Sequence, residues 1–350
     1  MAYTTIDKSS LHFNSKPYSG GSAPNAITGV GFKPDFIWIK PRNLANSNRL
    51  HASLLTDTDY YVMSENTDAE ATNNNCITSF DTDGFTLGNT DNGWNDSSYN
   101  YASWNWKAAG TSGSANSDGS ISSTVSVNST SKMSIVKWTG TGSNATVGHG
   151  LGVAPEVVMC KRLNGGTQNW YVFHKGMFDT DSTAYINLNG TDGKSQSSGP
   201  FNSTAPTSTV FSTGTSFASS DYIAFCFSNL TGFFKSGLYT GNGNANGSFI
   251  YTGFKPELII MKQYGANGQG WCMKTNSLNE RVGNPNDYFL KADTYDAENT
   301  STSFQIDMVS NGFKLRNTDG IMNTSGSGYL YMAWAKAPLV GSNNVPCTAR

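Results

Sequence analysis

Charge is scarce in this chain. Only 14% of its 350 residues are Asp, Glu, Lys or Arg and the formal net charge is −2, so no basic field exists to hold a nucleic-acid backbone. Long apolar runs are missing too: none approaches the roughly 18 residues of a membrane-spanning helix. The opening MAYTTIDKSSLHF lacks the basic start and apolar core of a secretory signal. The expectation is a protein made in a cytoplasm, without membrane insertion, that leaves by another route such as release of a particle by lysis.

Catalytic vocabulary is equally thin. Five cysteines are scattered, an odd number with no CxxC pair, which argues against a disulfide framework. Cys160, Cys226 and Cys272 sit in apolar runs and are expected to be small buried hydrophobes. The four histidines, His12, His51, His149 and His174, occupy unrelated places, and no GxSxG, HExxH or Walker-type loop is present. The glycines between Thr139 and Gly150 imitate GxGxxG but precede a strand instead of opening a helix. The acidic turns at Asp57 and Asp59, Asp81 and Asp83, and Asp179 and Asp181 offer too few oxygens for calcium. No catalytic residue, cofactor or metal is expected.

What the chain does have is Gly, Ser, Thr and Asn, with 12% aromatics. Turn formers replace helix formers, while the aromatics argue against disorder. The expected class is all-β. Helix is expected to be minimal, with one or two turns near Asp68 as the best candidate.

The strongest signal is repetition. GFKPDFIWIK (from Gly31) returns as GFKPELIIMK (from Gly253) and, more loosely, as GLGVAPEVVMCK (from Gly150). The prolines Pro34, Pro155 and Pro256 lie 121 and then 101 residues apart, and Lys40, Lys161 and Lys262 keep the same intervals. DGFTLGNTD (from Asp83) matches NGFKLRNTD (from Asn311). Each unit closes on an aromatic strand, aligned as Tyr101, Tyr222 and Tyr331 and as Trp104, Phe225 and Trp334. Near-continuous apolar, β-branched runs such as FIWIK imply strands covered on both faces. The proline is tolerated at a strand's entrance, and the terminal lysine is expected to carry the chain back into water. The closing strands alternate and are expected to be half-buried. Asp83-Gly84 and Asn311-Gly312 are expected as the central pairs of hairpin turns.

These landmarks divide the chain into tandem β-sandwich, jelly-roll-like repeats: residues 1–110, with an N-terminal strand; 133–232; and 233–338. A Ser/Gly/Thr-rich linker over 111–132 and a tail over 339–350 complete it. Units of this size can each bury a core. Two loop aromatics among polar turn residues, Trp94 and Tyr264, are the candidates for stacking on a sugar ring. Trp170 and Trp271 open corresponding strands and are expected to be structural.

With those segments in view, the chain resembles tandem-repeat structural proteins of marine tailed bacteriophages, a tail-fibre-like and receptor-binding-like family. The likeness rests on AYTTIDKSSLHFNSKPYSG, GFKPDFIWIK, SFDTDGFTLG, YASWNWKAAG and the stretch from SDGSISSTVSVNSTSK to APEVVMCKR. It implies a non-enzymatic virion protein, more in the tail than on the capsid, that contacts other virion proteins and a host-surface glycan and forms a homotrimer. Capsid decoration and a cell-surface or secreted carbohydrate-binding protein are the alternative readings.

Overall fold

The repeated phrase becomes the centre of a sheet each time it occurs. In the computed structural model, which describes residues 4–278 and 283–338, the strand Phe36–Pro41 lies between Asn100–Trp106 and Arg49–Ala52, with Phe13–Ser19 beyond Asn100–Trp106. Val157–Arg162 and Phe254–Gln263 hold the same place in the second and third strand sets. The molecule is all-β, built of several sheets of which none is closed. Smaller two- or three-stranded sheets pair Asn25–Thr28 with Gly84–Leu87, Ala145–Gly148 with Val210–Thr213, and Phe249–Tyr251 with Gly312–Leu315. The expected tail over 339–350 lies outside the described residues.

Alternation along the central strands sends side chains into two different cores. Ile37 and Ile39 pack with Ile27, Phe85 and Trp94 in a core private to the first set. Phe36 and Trp38 point the other way, into a core that also takes Met159, Phe225, Ile260 and Trp334 from the other sets. The second and third sets each have a private core as well. Three closing strands meet in the shared core: Trp106 and Trp334 have ring centroids 5.4 Å apart, Phe227 and Trp334 5.3 Å, and Trp106 and Phe227 6.4 Å. Each such aromatic pair adds about 0.5–1.5 kcal/mol beyond its burial.

This double coverage changes several expectations. The closing strand Asn100–Trp106 is buried on both faces, Ser103 and Asn105 included: the shared core takes Ala102, Trp104 and Trp106, and the first set's private core, where Ile39 and Ile37 pair with Ser103 and Asn105, covers the face expected to be wet. Its counterpart in the third set is shifted by two residues. Trp38 pairs with Trp104, Met159 with Phe225 and Ile260 with Met332, so Tyr329, not Tyr331, corresponds to Tyr101 and Tyr222. Trp334 corresponds to Trp106 and Phe227, not to Trp104 and Phe225. A two-residue slip keeps every side chain on its face, so alternation alone cannot distinguish the alignments. The stretch 111–132 is not a bare linker: Ser114–Asn116 and Ser123–Asn128 extend the second set's sheet to eight strands. The stretch near Asp68 forms no helix; single α-helical turns occur at Lys175–Phe178 and Ser198–Phe201. The hairpin turns centre on Thr82-Asp83 and Ser310-Asn311, since Asp81 pairs with Gly84 and Val309 with Gly312. Gly84 and Gly312 begin the return strands, where a Cβ would lie 1.9 Å from Ile27 O and 2.1 Å from Ile250 O. They are glycines because the neighbouring strand passes too close for a side chain.

The lysines that end the phrase do not return to water. Lys40, Lys161 and Lys262 are fully buried, and each clasps a neighbouring set. Lys40 Nζ donates to Asn46 O of its own set (2.7 Å) and to Thr294 O of the third (3.0 Å). Lys161 Nζ donates to Gln168 O (3.0 Å) and to Asn66 O of the first set (3.1 Å). Lys262 Nζ donates to Gln269 O and to Gly190 O of the second (3.3 Å). The order is cyclic: first to third, second to first, third to second. Two residues beyond each lysine, the carbonyls of Arg42, Leu163 and Tyr264 accept the N–H groups of Glu298, Glu70 and Lys194 in the same order. Trp170 Nε1 reaches Met63 O (2.8 Å) and Trp271 Nε1 reaches Asn187 O (2.9 Å). In the first set Asn48 stands where those tryptophans stand, and its amide reaches Lys291 O (3.3 Å) and Ala292 O (3.4 Å). The phrase recurs because each copy supplies one clasp in a closed ring.

Candidate functional site

Of the two loop aromatics singled out for sugar contact, Trp94 presents no platform and Tyr264 is partly covered. Trp94 is fully buried. Its Nε1 donates to Asn89 Oδ1 (2.6 Å), and its ring packs on Tyr61 and His51 and beneath the Arg49 guanidinium. The polar residues around it fold it onto its own core. Tyr264 is half-buried against the shared core, and a Cβ at Gly328 would lie 2.6 Å from its ring, so that glycine covers part of the ring. Its carbonyl belongs to the clasp described above. Trp170 and Trp271 are buried structural residues, and Cys160, Cys226 and Cys272 are buried free thiols.

The titratable interior is likewise tied into the fold. Burial lowers Lys40 and Lys262 to about 8 and Lys161 to about 7, with nearby carboxylates (Glu65 and Asp296, Asp293 and Asp192, Asp68 and Glu65) opposing the drop. Burial also takes His51 down to about 3 and His174 to about 4. The acids after the first and third repeated prolines are engaged as well. Glu257 accepts a bond from Ser15 Oγ of the first set. Asp35 accepts the backbone N–H groups of Ala108 (2.7 Å) and Gly110 (3.0 Å) as the chain leaves the first set. Burial raises the Asp35 carboxyl against those bonds. The cleft beside it, about 480 Å³ between Leu54, Leu55 and Phe80 of the first set and Thr124 and Lys137 of the second, therefore has a saturated acid at its edge. No cluster of three or more potential metal ligands occurs among the described residues.

Repetition supplies an internal comparison. Where three sets share a position, the residue common to them serves the fold, and an exposed departure marks what is particular to one set. The strand Phe249–Tyr251 stands out on this test. Ile250, Ile27 and Val147 are the equivalent inward residues, paired with Phe313, Phe85 and Phe211. On the outward side the first set has Ala26 and Thr28 and the second has Thr146 and Gly148. The third has Phe249 and Tyr251, 47% and 56% exposed. The two aromatics share one face of an edge strand, and Phe249 Cε2 would lie 3.1 Å from a Cβ at Gly312, so the ring rests on the bare glycine. Beside Tyr251 a recess of about 190 Å³ opens at the junction of the second and third sets, lined also by Asn229, Thr231 and Lys235. The sequence carries this signal, in FIYTGFKP against AITGVGFKP, but an aromatic on a strand looks like an ordinary strand former, whereas one inside a polar loop stands out.

A sequence model of DUF7483, a domain of unknown function, matches residues 8–338. The chain belongs to that family. The match runs through all three strand sets and the clasps between them, so the DUF7483 region takes in the whole ring. No curated protein and no solved structure matched the chain.

Proposed function

We propose that this DUF7483 chain is a non-enzymatic virion structural protein of a tailed phage, carried in the tail or fibre apparatus and contributing to attachment at a host-surface glycan. Its three strand sets are read as tandem copies of one jelly-roll-like β-sandwich. The observation that supports the reading most is the closed ring of clasps. The charged ends of the repeated phrase are used to join the sets, so one chain forms a three-part body whose peripheral loops and edge strands are left to meet a partner. A body of this kind gives a fibre or tail a threefold-like end without requiring three chains, and a homotrimer would multiply that surface. Other virion proteins are its proposed neighbours.

The test is gold labelling of purified virions with an antibody raised against the chain, viewed by electron microscopy. Label on the tail or fibres is expected. Label spread over the head would replace the reading with capsid decoration, and particles without label would refute a virion role.

A further inference from the structure

We propose that the recess beside Tyr251 is a subsite for a single pyranose sugar, and that it takes a uronate in preference to the neutral sugar. The inference deepens the attachment reading by naming what the surface holds, and it fails or stands separately from where the protein sits in a virion.

Four observations carry it. First, Tyr251 is a large exposed aromatic at a position where the other strand sets have Thr28 and Gly148. Second, the recess is about 190 Å³, below the roughly 300–1,000 Å³ of sites for drug-sized ligands, and is suited to one sugar ring. Third, the polar groups beside the aromatic are donors with capacity to spare. Asn229 is held by its Oδ1, which accepts Ser236 N (2.7 Å) and Ser236 Oγ (3.3 Å), while its Nδ2 makes no bond among the described residues. Lys235 Nζ likewise has no ion pair or hydrogen bond among them. Fourth, among the described residues no carboxylate lines the recess. A flat apolar face with an amide N–H, an ammonium and the Thr231 hydroxyl at its edge matches a pyranose. The C–H face of the sugar lies on the ring, and its oxygens accept the hydrogen bonds.

The cation sets the preference. Lys235 has charge to offer a carboxylate, but it is only half-buried, and Glu156 lies close enough to feel its charge. A solvent-screened pair of this sort contributes about 0.2–1 kcal/mol, equivalent to about a 1.5- to 5-fold difference in affinity. The expected affinity for a single ring is in the millimolar range, equivalent to about −4 kcal/mol.

The experiment is saturation-transfer difference NMR on the full chain with methyl β-D-glucuronide and methyl β-D-glucoside. Both glycosides should bind at millimolar concentration, the glucuronide about 1.5- to 5-fold tighter. Tyr251→Ala should weaken both at least 10-fold. Lys235→Met should bring the two to equal affinity. Tyr295→Ala, which removes another exposed aromatic (64% exposed), should change neither. Lys235→Met alters only a half-buried side chain, so it keeps the proposal open to refutation even if Tyr251→Ala misfolds. The subsite is overturned if the wild-type chain binds neither glycoside or if folded Tyr251→Ala binds both as well as wild type. Equal wild-type affinities would overturn the uronate preference. A protein labelled on the tail that binds neither sugar would remove the subsite and leave the virion reading intact.

Discussion

Replacing Lys161 with Met tests whether the clasps are as buried as they look. The side chains are similar in length, so packing around Trp170, whose ring lies 5.8 Å from the ammonium, is largely kept. The two bonds to Asn66 O and Gln168 O are lost, and so is the cost of holding an ammonium away from water. These effects oppose one another, and replacing a buried charge by a hydrophobe is often near neutral. The pH dependence, in contrast, has a definite sign. Burial lowers the folded pKa to about 7, whereas the unfolded value is about 10.4. Between those values the unfolded chain holds a proton that the folded chain has lost, so stability rises with pH. The lysine's contribution is complete above about 10.4 and is lost as pH falls through about 7. Between pH 7 and pH 9 the linkage amounts to about 2 kcal/mol. Urea unfolding of both proteins at pH 7, 8 and 9 gives the difference directly. Ionisation of other groups, such as unfolded thiols, cancels in the comparison. Wild type should gain about 2 kcal/mol on Lys161→Met across that range. Parallel pH profiles would show that the ammonium is solvated in the folded protein, and the clasp interpretation would fail.

Three further outcomes follow from the same structure. His174 is buried with a folded pKa of about 4, below its usual 6.5, so its contribution is present above pH 6.5 and lost as pH falls toward 4. His174→Leu should therefore flatten the acid limb by about 3 kcal/mol between pH 7 and 4, and acid titrations of the two proteins that superimpose would count against it. Gly312→Ala forces a Cβ against Ile250 O and should cost about 1–3 kcal/mol in thermal or urea unfolding. Gly190→Ala, with nothing within 4 Å, should be close to neutral, and equal costs would contradict the close strand approach. Trp170→Phe removes the Nε1 bond to Met63 O and leaves that carbonyl short of a partner; a loss of about 2 kcal/mol is expected, and an unchanged urea midpoint would place the bond outside the folded energetics.

Much of the strand content was legible in the chain because period and composition report local burial. FIWIK, VVMCK and LIIMK were read as strands covered on both faces, and they are. The cysteines inside apolar runs were read as buried, and they are. Trp94 was misplaced because polar neighbours predict a loop, not the direction in which the loop folds its aromatic. The partial cover of Tyr264 is hidden from the sequence for a related reason: its covering residue, Gly328, lies 64 positions away.

By itself, the sequence determined an all-β chain, three recurrences of one strand phrase and the double coverage of those strands, since each is written in nearest-neighbour pattern and spacing. The tertiary structure alone decided what supplies the second cover. Cyclic packing brings the outer faces of three sheets together around Trp106, Phe227 and Trp334, and it sets carbonyls from one strand set opposite the lysines of the next. A lysine at the end of a strand looks solvent-bound to any local rule. Only the arrival of Asn66, Gly190 and Thr294 from distant segments makes Lys161, Lys262 and Lys40 interior, because a buried ammonium persists only where acceptors are already in place to receive it.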